Sequence, residues 1–106
     1  MAVDPNVFKK FADAWYGPGA VIGDGKLLEM LIKFFMDFLK GCPLGVRRAH
    51  AMVNGGPLQQ ARARRRVWWE AYDMTGDGEM ADKIADAGVT LGQSSSVEEF
   101  EDFVKP

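Results

Sequence analysis

The apolar positions of this chain recur at helical spacing between breaks set by glycine and proline. Phe8, Phe11, Ala12 and Trp15 fall three and four residues apart, so they share one face of a helix. Asp4 stands before that helix as a cap, Pro5 suits its first position, and Gly17-Pro18-Gly19 ends it. Asp24, between Gly23 and Gly25, is placed to cap a second helix over residues 26–40. At 100° per residue, its charges Lys26, Glu29, Lys33, Asp37 and Lys40 lie within an arc of about 80°. Leucine, isoleucine and phenylalanine fill the remainder, which is more apolar surface than a helix resting on one neighbour requires. Two readings follow: a central helix wrapped by the others, or a helix with a face to spare for a partner. In the second reading Leu31, Phe34, Phe35 and Phe38 are the partner-binding residues.

Residues 41–45, rich in glycine and containing Pro43, break the chain again. A short helix over 46–53 stops at Asn54-Gly55-Gly56, and Pro57 opens a long one over about 58–72. Residues 73–78 read as a loop, followed by a short helix over 80–87 that Gly88 ends. Val89-Thr90-Leu91 is too short to assign. Ser96 and Glu99 form a capping-box pattern for a last helix through Val104. The expected fold is all-α: a compact bundle of five or six short helices in a single domain over residues 1–106.

Composition agrees with this. The apolar share of 47% and the charged share of 26% are those of an ordinary globular domain. Formal net charge is −2, which argues against a strongly basic binder. Segment by segment the picture changes. Residues 1–72 carry eleven basic and six acidic groups, whereas residues 73–106 carry two and nine. The sign changes at Asp73. Either the acidic segment docks on the basic one, or the two present oppositely charged faces to partners.

One cysteine, Cys42, cannot close an intrachain disulfide, so a reducing, cytoplasmic setting is expected. Cys42 and the lone His50 are the only residues able to form a Cys–His nucleophilic pair. Filler for Cys42 and a helix-surface place for His50 are the simpler reading, and no enzyme is expected. The N-terminus lacks the basic start and apolar core of a signal peptide, and no apolar run is long enough for a transmembrane segment.

Arg62, Arg64, Arg65 and Arg66 precede Trp68 and Trp69, a combination able to hold phosphates and stack bases. A nucleic-acid reading would use Arg62, Arg64 and Arg66. Leu58, Ala61, Trp68, Trp69 and Tyr72 fall on one arc, expected to face the core, with Arg62 and Arg66 expected on the polar side beyond its edge and Glu70 able to pair with Arg66. Arg65 falls inside the aromatic arc and is expected to pair with Glu98, Glu99, Glu101 or Asp102.

Residues 67–84 resemble the first half of an EF-hand. Asp73, Thr75 and Asp77 occupy the places of the first three side-chain ligands. Gly78 stands at the sharp turn, Glu79 would offer its carbonyl, and Met80 takes the apolar position after it. The twelfth position, where the family has a bidentate glutamate, is Ile84. The resemblance implies a helix-loop-helix and calcium as the ligand. Taken together, the expectation is a non-catalytic binding or assembly module, of the kind found among small accessory or phage-type structural proteins, acting on a protein partner or on itself. A calcium-binding regulator and a nucleic-acid binder are the alternatives.

Overall fold

The computed structural model describes residues 5–19, 21, 23–43 and 45–104. Among these the chain forms six α-helices and no strand: α1 (Pro5–Tyr16), α2 (Gly25–Lys40), α3 (Val46–Val53), α4 (Pro57–Thr75), α5 (Gly78–Ser94) and α6 (Val97–Phe103). The expected all-α bundle is what forms. No helix among the described residues is long and apolar enough to cross a membrane. The expected cap Asp4 lies outside the described residues.

Local chemistry sets most of the boundaries. The Asp24 carboxylate accepts the backbone N–H of Lys26 and Leu27, both at 3.1 Å, and so starts α2. Its own backbone N–H donates to the Tyr16 hydroxyl at 2.9 Å, tying the end of α1 to the start of α2. At α6, the Ser96 hydroxyl accepts from Glu99 N–H while the Glu99 carboxylate accepts from Ser96 N–H, completing the capping box.

Helix α2 turns one apolar stripe into the core and leaves Phe34, Phe38 and Met30 partly exposed. Leu28, Leu31, Ile32, Phe35 and Leu39 are buried, and the five charges of its polar arc face solvent or lie at the surface. Phe35 packs on Phe11 of α1 with ring centroids 5.5 Å apart, and Phe11 packs on Phe103 of α6 at 5.8 Å.

The main departure from expectation is α5. It runs unbroken through Gly88 and Gly92, so the expected stop at Gly88 and the unassigned residues 89–91 are all helical. In isolation each interior glycine costs a helix roughly 1 kcal/mol relative to alanine. Packing accounts for both. A Cβ on Gly88 would lie 2.7 Å from a ring carbon of Phe35, and one on Gly92 would overlap the Val53 side chain. Glycine lets α5 approach α2 and α3 at these two points. The glycines therefore mark close contact, not termination.

The end of α5 is held from α3 and α1. His50 Nε2 lies 2.7 Å from the Ser95 carbonyl, and the Asn54 amide donates to the Gly92 carbonyl at 3.1 Å. The Lys10 ammonium donates to the Ser94 carbonyl and pairs with Glu99 at 2.7 Å. Hydrogen bonds from Lys10 and from the Ser96 backbone hold the Glu99 carboxyl below its usual value.

Replacing Gly88 or Gly92 by alanine should destabilise the protein by about 1–3 kcal/mol, since overpacking outweighs the gain in helix propensity. Urea unfolding that showed either variant more stable than wild type would contradict this packing. The Glu99 contribution has a definite pH sign. A carboxyl lowered in the folded state stabilises above its unfolded value, and that stabilisation is lost as pH falls through the folded value. The stability difference between wild type and Glu99→Gln should therefore shrink on acidification, read as converging urea midpoints between neutral pH and pH about 3.

Candidate functional site

Helix α4 is the longest helix, with 19 residues. Pro57 opens it at a position needing no N–H, and Gly76 closes it in the left-handed conformation at φ 67°, which a residue with a Cβ adopts only under strain. Its inner face consists of Ala63, Val67 and Ala71, at spacings of four. Val67 and Ala71 share one buried cluster with Ala81, Ile84 and Ala85 of α5, and Ala63 lies with Gly88 and Val89, so the two helices pack along their length.

That choice of inner face decides where the large side chains go. Leu58, Arg62, Arg65, Trp69 and Tyr72, at spacings of four, three, four and three, all point outward and are exposed. Leu58 is 65% exposed, Trp69 51% and Tyr72 38%. The expectation that the aromatic arc faces the core is thus corrected for Leu58, Ala61, Trp69 and Tyr72, whereas Trp68 is half-buried and packs against the core. The inner positions of α4 are held by small residues, as close packing requires, and the Trp69 indole stands on the opposite side of the helix. The spacing of Ala63, Val67 and Ala71 was the sequence signal for the inner face, and the larger aromatics obscured it.

The aromatic side chains of α4 form one cluster. Trp68 and Tyr72 stack at 5.2 Å with an interplanar angle of 5°, and Trp69 meets Trp68 edge-on at 5.0 Å. Trp68 is anchored by α5, because its indole N–H donates to Asp82 at 2.7 Å. Arg64 is anchored in the same way, through Nε to Asp86 at 2.8 Å and through a terminal nitrogen to Asp82 at 3.4 Å. The hydrogen bond to Asp86, aided by the charges of both aspartates, raises the Arg64 guanidinium above its usual value. Arg64 is thereby committed to a contact within the protein. A shallow hollow of about 410 Å³ lies here between Arg64, Arg65, Trp68, Trp69 and Asp82.

The other three arginines behave differently. Arg62, Arg65 and Arg66 are exposed, and none forms an ion pair with another described residue. The expected pairing of Arg65 with the C-terminal acids does not form. Helix α6 packs on α3, so Glu101 pairs with Arg47 at 3.2 Å and Glu99 with Lys10. Nor is there an ion pair between Arg66 and Glu70. Of the three arginines expected for nucleic acid, Arg62 and Arg66 are available and Arg64 is not. Arg65 joins them instead.

The four residues expected on α2 are divided by the fold. Leu31 and Phe35 are 1% and 4% exposed, so they belong to the core and not to a contact surface. Phe34 and Phe38 are half-buried and line a groove of about 400 Å³ between α2 and α4, with Met30 and Met74 beside them.

The EF-hand-like segment takes another shape. Asp73 lies inside α4, and only Gly76 and Asp77 separate α4 from α5. The Thr75 hydroxyl donates to the Ala71 carbonyl at 2.9 Å and accepts from Asp77 N–H. The Asp77 carboxylate accepts from Glu79 and Met80 N–H and so caps α5. Ile84, at the twelfth position, is fully buried core. The side chains of Asp73, Thr75, Asp77 and Glu79 are therefore set by two helix ends and not by a twelve-residue loop. Among the described residues no group of three or more His, Cys, Asp and Glu is placed to hold a metal ion.

Cys42 is half-buried with a free thiol. His50 acts structurally: its ring packs edge-on against Phe100 at 5.4 Å while Nε2 engages Ser95. No protein-family model, curated protein or solved structure matches this chain.

Proposed function

We propose that this protein is a non-catalytic binding and assembly module whose contact surface is the outer face of α4. One observation carries this reading. Of the six large apolar residues exposed among the described residues, Leu58, Trp69 and Tyr72 share the outer face of α4, and Met74 lies at the end of the same helix, in the groove toward α2. An exposed helix face combining tryptophan, tyrosine and unpaired arginine has the composition of interface hot spots, where rigid rings supply area and guanidinium supplies directed bonds. The groove containing Phe34 and Phe38 extends that surface on one flank. The free thiol of Cys42 fits a reducing, cytoplasmic compartment.

Nucleic acid is a second reading, supported by Arg62, Arg65 and Arg66 standing unpaired beside Trp69. Three phosphate contacts would be modest, giving a slope of log affinity against log salt of about −2 to −3.

Sedimentation velocity over a concentration series tests the principal reading, alongside fluorescence anisotropy with a labelled oligothymidylate. The wild type should self-associate, or bind the oligonucleotide with that salt slope, and a Trp69→Ser,Tyr72→Ser variant should lose the interaction while keeping its circular dichroism spectrum. Identical behaviour of variant and wild type in both measurements would contradict a contact role for this face.

A further inference from the structure

The charges of α4 are segregated along the helix, with the basic residues first and the acidic residues after them. Arg62, Arg65 and Arg66 lie three or four residues apart, and Glu70 and Asp73 follow with the same spacing. At these spacings Arg62 neighbours Arg65 and Arg66, and Glu70 neighbours Asp73, each a like-charge contact on the helix surface, while Arg66 and Glu70 are of opposite sign. Asp73 also lies in the last turn, where the helix dipole is already negative, and that turn has no basic residue. These five groups form no ion pair with another described residue, although Arg64 on the same helix forms two.

We infer that the face is completed by a second copy of this chain, packed antiparallel along α4. The inference rests on reading that face as an interface. At 100° per residue, Trp69, Arg62, Asp73 and Arg66 fall within an arc of about 60°. In chain order, Arg62, Arg66, Trp69 and Asp73 are spaced four, three and four apart, which is the seam spacing of two helices crossing at a shallow angle. An antiparallel two-fold axis between residues 67 and 68 sets Arg62 opposite Asp73 of the second copy. It also sets Arg66 opposite Trp69 of the second copy, within reach of Glu70 there. Symmetry repeats each contact. The basic half of one helix meets the acidic end of the other, the two dipoles oppose, and a guanidinium meets an indole face. A parallel pair would set arginine on arginine. An extended nucleic acid would meet Glu70 and Asp73 at one end of the stripe, which repel phosphate. The self-complementary charge pattern therefore favours a second copy over either.

Charge reversal tests this directly. Arg62 and Asp73 are exposed and hold no other described group, so Arg62→Asp and Asp73→Arg should fold, as circular dichroism would verify. Sedimentation equilibrium of the wild type should give a monomer–dimer system, each single reversal should weaken it by about tenfold or more, and the double variant should recover to within about threefold. A wild type monomeric up to about 1 mM would overturn the inference. So would single reversals without effect, or a double variant weaker than both. Association that Trp69→Ser abolishes but charge reversal leaves unchanged would retain the α4 face as an interface and reject the antiparallel pairing.

Discussion

The close approach of α5 to its neighbours is the constraint on which the rest of this structure depends. Gly88 lies under the Phe35 ring and Gly92 under Val53, while Ala81, Ile84 and Ala85 meet the small face of α4. Five helices pack on a rod that is narrow along most of its length. Such packing offers little space for large side chains on the contacting face of α4, because interiors are close-packed and a ring needs room that a methyl does not. Two consequences follow together. Helix α4 turns Ala63, Val67 and Ala71 inward, and Trp69, Tyr72 and most of its arginines turn outward.

The same constraint organises the polar contacts. Asp82 and Asp86 on the outer side of α5 reach across to Trp68 and Arg64, which fixes the edge of the aromatic cluster. These ion pairs are solvent-exposed and contribute little to stability, on the order of 1 kcal/mol or less each. Their effect is geometric: they hold one arginine and one indole against α5, while Arg62, Arg65 and Arg66 form no ion pair with another described residue. The C-terminal acids serve a separate purpose, tying α6 to α1 through Glu99 and to α3 through Glu101.

Much of the architecture was legible from punctuation and periodicity. Asp24, Pro57 and the Ser96–Glu99 box act locally, on backbone groups within a few residues, so their structural effect can be read without knowing the fold. The bounds of α3 and the polar arc of α2 were legible for the same reason. Gly88 and Asp73 were not. Glycine interrupts a helix when nothing else holds it, and the reason to keep α5 continuous lies on α2 and α3, far away in sequence. Asp73 to Gly78 has the residue types of a cation-binding loop, but a Gly76 C-cap and an Asp77 N-cap satisfy the same backbone with a two-residue turn. The orientation of α4 was obscured by size: hydrophobicity ranks tryptophan above alanine for the core, whereas the residues that α4 buries are two alanines and a valine.

The claim that joins fold to function is that Trp69 is displaced from the core by the α4–α5 packing. Chemical unfolding of Trp69→Ser beside Phe35→Ala, at concentrations dilute enough to keep the protein monomeric, tests it most directly. Loss of a buried phenylalanine should cost about 3–5 kcal/mol. Loss of an outward-facing tryptophan should cost no more than about 1 kcal/mol. A penalty for Trp69→Ser comparable to that for Phe35→Ala would place the indole in the core and contradict the account.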